Sequence, residues 1–172
     1  MIFELPMFTL IHVVISVLGI IAGLVVVGGL LAGERLDRWT ALFLATTVLT
    51  SVSGFGFPFT KVLPAHAVGA VSLPVLAVCL AARYWKQLEG NWRSIYVTTA
   101  VAALYLNVFV LVVQLFAKTP PLAQLTPTQQ EAPFLVTQAL FLGLFVMLGR
   151  TALRAFRTEK ANSQHRSLQE FA

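Results

Sequence analysis

His12 and His66 are the side chains of this sequence best suited to chemistry. Both stand in long apolar stretches, where a polar side chain is costly and usually faces protein or a water-filled cavity rather than lipid. Neutral imidazole is the commonest protein ligand for transition metals and also ligates haem iron. Two histidines on different helices could hold one haem b between them, or anchor copper or another metal. A third chemistry is quinone binding, in which carbonyl oxygens need donors such as histidine or glutamine in an apolar slot. Spacing alone does not separate these three. Asn107, Gln114, Glu131 and Gln138 are the other polar candidates for contact with such a cofactor. His165 lies in a hydrophilic tail and carries no such signal.

The elements that must position these residues are membrane helices. A bilayer core about 30 Å thick needs roughly 20 apolar residues in a helix. Five runs meet or approach this: 8–32, 39–57, 64–84, 95–117 and 134–156. They form one domain, 1–156, followed by a basic tail, 157–172. The expected fold is an all-α polytopic transmembrane helix bundle. The second and third runs are separated by a short segment bounded by Pro58 and Pro64, so a re-entrant hairpin there is the alternative and would leave three or four spans. The amino terminus reads as a retained helix rather than a signal peptide, because it lacks a positive leading region and its apolar run is too long.

Composition points the same way. Of the 172 residues, 58% are hydrophobic and 11% charged, and the mean hydropathy is +0.82. Soluble domains carry about 25% charged residues, so this chain could not cover a water-facing surface. The net charge of +5 does not indicate nucleic acid, because the cations fall between the apolar runs. Arg35, Arg38, Arg83, Lys86, Arg93, Arg150, Arg154, Arg157, Lys160 and Arg166 fall on one side of the predicted spans, against Lys61 and Lys118 on the other. The positive-inside rule then places the amino terminus outside and the carboxyl terminus in the cytoplasm. Trp39, Tyr84, Trp85, Trp92 and Tyr96 gather at the same predicted inner interface. The lone cysteine, Cys79, excludes a disulfide framework within one chain.

With this topology His12, His66, Gln114, Gln138 and Glu131 gather toward the outer leaflet, with Asn107 deeper, and the inner half holds little comparable. His12, Ser16, Gly19 and Gly23 share one helical face, as do Asn107 and Gln114 with Ala100 and Ala103. Thr47, Ser51 and Gly54 form a third stripe. Asn107, Gln138 and the hydroxyl residues equally suit interhelical hydrogen bonding, worth about 0.6 kcal/mol on average. The glycines suit close helix packing. The proline-rich segment 118–133 shows no evident secondary structure. It is expected to be an extended surface loop or a lid, with Glu131 the acid nearest the histidines.

The stretches Leu106-Asn107-Val108-Phe109-Val110-Leu111-Val112-Val113-Gln114, Thr126-Pro127-Thr128-Gln129 and Pro64-Ala65-His66 resemble those of a group of small bacterial multi-spanning membrane proteins. The resemblance covers most of the chain apart from the tail. It implies a bacterial inner-membrane location and brings no activity, cofactor or catalytic residue.

Three functions compete. One is a small redox or cofactor-binding module, with haem, metal or quinone held by His12 and His66. Another is a small-solute or ion transporter, which would need a polar path through both leaflets. The last is a structural or assembly subunit, as a homo-oligomer or within a larger membrane complex. No nucleophile–histidine–acid set, phosphate loop or dinucleotide fingerprint is present.

Overall fold

The computed structural model describes the backbone of residues 4–57 and 64–170, and side-chain surroundings for 7–57 and 66–156. Within those bounds the chain is helical, with no strand. Helix α1 spans Glu4–Leu31, α2 Asp37–Gly54 and α3 Pro64–Leu80, which continues into a π-helical turn at Ala81–Trp85. Helix α4 spans Trp92–Lys118, the short α5 Pro120–Leu125, and α6 Ala132–Glu170. The connection expected around Pro58 and Lys61 lies outside the described residues, as do the side chains of Arg157, Lys160, His165 and Arg166.

Four helices are long and apolar enough to cross a membrane: Met7–Leu31, His66–Trp85, Trp92–Lys118 and Ala132–Phe156. Helix α2 is different. Its 18 residues rise through roughly 27 Å, but they include Asp37, Arg38 and many hydroxyl side chains. Those hydroxyls face inward. Thr40, Thr46, Thr47 and Ser51 are buried, while Trp39, Leu42, Leu49 and Val52 are exposed. The same inversion recurs elsewhere, with Ser72 and Gln138 buried and Leu18, Val71, Leu140 and Met147 exposed. A bundle that turns large aliphatic side chains outward and hydroxyls inward is matched to a hydrocarbon solvent.

Helix α4 is the centre of the bundle, packing against α1, α3 and α6, while α2 lies between α1 and α3. Midway along, Gly23 lets α1 approach closely. A Cβ there would lie 2.6 Å from Leu104 Cδ1 and 2.8 Å from Phe43 Cε2. Phe43 and Leu104 are themselves fully buried. This dry layer separates the polar groups at the two ends of the bundle.

The ends of the helices have local causes. Helix α1 closes on Gly33, whose φ of 79° is the left-handed conformation that glycine adopts without strain. The Glu34 N–H donates to the Gly29 carbonyl at 2.8 Å and the Gly33 N–H to that of Leu30 at 3.3 Å, a Schellman closure. Pro120 opens α5, where its missing N–H costs nothing.

Three expectations are revised. Segment 118–133 is not wholly irregular, because α5 occupies part of it. It is also pinned: Gln129 Nε2 donates to the Val113 carbonyl on α4 at 3.2 Å, and Thr126 is buried. The last helix begins at Ala132 and its backbone continues to Glu170 instead of stopping near 156.

Candidate functional site

The end of the bundle that carries His12 and His66 is organised by the carboxyl-terminal turn of α2. His12 Nδ1 lies 2.8 Å from Ser53 Oγ. The Thr50 carbonyl lies 3.2 Å from the same hydroxyl. Ser53 carries one hydroxyl proton, so it either donates to Thr50 and accepts from His12 Nδ1–H or donates to an unprotonated Nδ1. One turn deeper, Ser16 donates to the His12 carbonyl at 2.7 Å and approaches Thr50 Oγ1 at 3.4 Å. Phe57 meets the His12 ring edge to face, with centroids 5.1 Å apart. The ring is half-buried.

His66 occupies the other flank of α2. Its ring is buried and stacks on Phe55, with centroids 6.2 Å apart and planes inclined by 21°. The helices carrying the two histidines pack on α2, not principally on each other. Among the described residues, no three His, Cys, Asp or Glu side chains come together as a metal-binding group.

The remaining candidates have separate positions. Asn107 Nδ2 donates to Thr47 Oγ1 at 3.1 Å, joining α4 to α2. Gln138 is buried, and its Nε2 donates to the Phe109 carbonyl at 3.3 Å. Gln114 is exposed, although Ala100 and Ala103 on the same side of α4 are buried. Register explains this. Seven residues beyond Asn107 toward the carboxyl end of α4 is Gln114, and seven residues beyond Thr47 is Gly54, where α2 ends. Beyond that point α2 no longer covers that face of α4.

Glu131 serves its own helix. Its carboxylate accepts from the Thr128 N–H at 3.0 Å, the Thr128 hydroxyl at 2.7 Å and the Gln130 N–H at 3.0 Å. Slight desolvation works against ionisation, but the hydrogen bonds outweigh it and hold the carboxyl below its ordinary pKa. A carboxylate ahead of the first turn also favours the helix dipole.

The opposite end of the bundle, for which the sequence predicts little polar chemistry, holds a network of its own. Arg83, in the π-turn, pairs with Asp37 at the start of α2 and lies over the Tyr96 ring at 5.8 Å. The Tyr96 hydroxyl is 3.2 Å from Thr40 Oγ1. Arg93 lies over the Phe156 ring at 4.0 Å. The pairing of Asp37 with Arg83 could not be read from two charges 46 positions apart; the only hint was that both fall at predicted span ends on the same side.

No protein family matches this chain, and neither a curated protein nor a solved structure shows significant similarity to it.

Proposed function

We propose that this chain is a multi-pass bacterial inner-membrane protein that crosses the bilayer five times, with its amino terminus outside. Its outer end binds a small cofactor-like ligand through His12. The five-span reading is supported by the inward hydroxyl face and outward aliphatic face of α2. The orientation is supported by the bias of Lys and Arg toward one set of connections.

The observation that carries the ligand reading is the Ser53–His12 hydrogen bond. It orients the ring, as supporting partners do for functional histidines. In the tautomer with its proton on Nδ1, Nε2 acts as an acceptor or a ligand. It suits the hydroxyl of a quinol, or the iron of a haem held from one side. The exposed Gln114 amide, at the level where α2 ends, supplies a donor for a carbonyl. Transport through a single copy is disfavoured by the Gly23–Phe43–Leu104 layer.

The test is an absorption spectrum of detergent-purified protein, oxidised and reduced, with metal analysis and quinone extraction on the same sample. A Soret band or co-purifying quinone that disappears in His12→Ala supports the reading. A colourless, quinone-free protein from haem- and iron-replete cells removes it. Single-cysteine labelling in a Cys79→Ala background, with a membrane-impermeant maleimide, tests the topology separately.

The second reading is an assembly subunit of a membrane complex. It is favoured by Gln114, an amide exposed between Leu111 and Leu115 on the outer surface of α4, where a partner helix would satisfy it. Co-purification that is lost in Gln114→Leu would select this reading.

A further inference from the structure

We propose that the turn between α3 and α4 binds the phosphate of an anionic phospholipid headgroup on its exposed surface, through Trp85, Lys86 and Trp92. The turn holds these side chains on a fixed backbone. The π-helical turn Ala81–Trp85 closes on Lys86, whose N–H donates to the Ala81 carbonyl at 2.8 Å. The Leu88 N–H donates to the Ala82 carbonyl at 3.1 Å, and the Trp92 N–H to that of Glu89 at 3.0 Å. Gln87 and Leu88 take left-handed backbone, with φ of 49° and 60°, which is uncommon outside glycine. Burial of the Leu88 side chain offsets that strain, and Gln87 Nε2 donates to the Tyr84 carbonyl at 2.7 Å.

Donors gather on this turn without an acceptor. The Lys86 ammonium lies 5.7 Å from the Trp85 ring centroid and 5.6 Å from that of Trp92, within cation–π range of both. Among the described residues it makes no ion pair, even with Glu89 in the same turn, and neither indole N–H has a hydrogen-bond partner. Ammonium and indole N–H groups only donate, so their complement is an oxyanion. Trp85 is 80% exposed and Lys86 is exposed, so phosphate oxygens can reach them. Indoles settle at the headgroup level of a bilayer, where the oxyanion at hand is a lipid phosphate, and basic side chains there favour anionic lipids. The inference requires only that this end lies at a bilayer surface, and it is independent of any ligand at His12.

The test is electron paramagnetic resonance of spin-labelled lipids in vesicles that contain the full chain. Spin-labelled phosphatidylglycerol is expected to be immobilised by the protein in preference to spin-labelled phosphatidylcholine. Lys86→Gln should lose more than half of that preference. Trp85→Phe, which keeps a ring but removes the N–H, should lose a smaller part. Arg35→Gln, an exposed cation of the neighbouring α1–α2 turn, should keep most of it. Equal immobilisation of the two lipids overturns the proposal, as do equal losses in Lys86→Gln and Arg35→Gln, which would show diffuse charge attraction in place of a site. If inorganic phosphate abolishes the preference and sodium chloride of the same ionic strength does not, free phosphate is the ligand and the lipid assignment falls. Circular dichroism of each variant separates loss of the site from loss of the fold.

Discussion

Asn107 reaches from the central helix α4 to Thr47 on α2, with Nδ2 3.1 Å from Oγ1. Thr47 is fully buried, and Asn107 is its partner from across the bundle. The bond marks the height at which the polar end that carries His12 gives way to the dry middle layer.

Asn107→Leu removes that donor. Interhelical hydrogen bonds in membranes average about 0.6 kcal/mol and reach about 1.7 kcal/mol. A loss within this range is expected, read as a lower unfolding midpoint in detergent. A stability unchanged from wild type would show that Thr47 finds another partner.

Gly23→Ala introduces a Cβ 2.6 Å from Leu104 Cδ1. Overpacking of this kind costs about 1–3 kcal/mol. The double variant Gly23→Ala/Leu104→Ala should lose less than the sum of the two single changes. Strict additivity in that cycle would mean the two positions do not share the contact.

Ser53→Ala leaves the His12 ring in place but removes its hydrogen-bond partner. Any ligand held through Nε2 should bind more weakly than in wild type and more tightly than in His12→Ala. Titration of the ligand identified by extraction would read this ranking.

Glu131 gives a pH dependence with a definite sign. Its carboxyl titrates below its ordinary value in the folded chain. Its contribution is therefore complete above the unfolded pKa and disappears as pH falls through the folded one. Hydrogen exchange in the first turn of α6 should speed up, relative to its intrinsic rate, as the solution passes below the carboxylate range. Glu131→Gln should abolish that dependence while leaving the rest of α6 unchanged.

The helical class, the apolar outer surface and the inward face of α1 were legible from residue type and period alone. Hydrophobic runs of sufficient length impose helices in lipid, and His12, Ser16, Gly19 and Gly23 fall on one side of any regular helix. Position along a helix does not say where its neighbours stop. Asn107 and Gln114 therefore look equivalent in sequence, yet α2 ends at Gly54 and only the deeper residue acquires a partner from it. The same limit hid the hydrogen bond between His12 and Ser53, which belongs to another helix. It also hid the Asp37–Arg83–Tyr96 network, whose members come from three separate segments. Residue type and period alone determined what each helix must bury, because burial of apolar and polar groups is a property of one segment in its solvent. Only tertiary structure decided which side chains meet, because a hydrogen bond depends on the relative height and rotation of two helices.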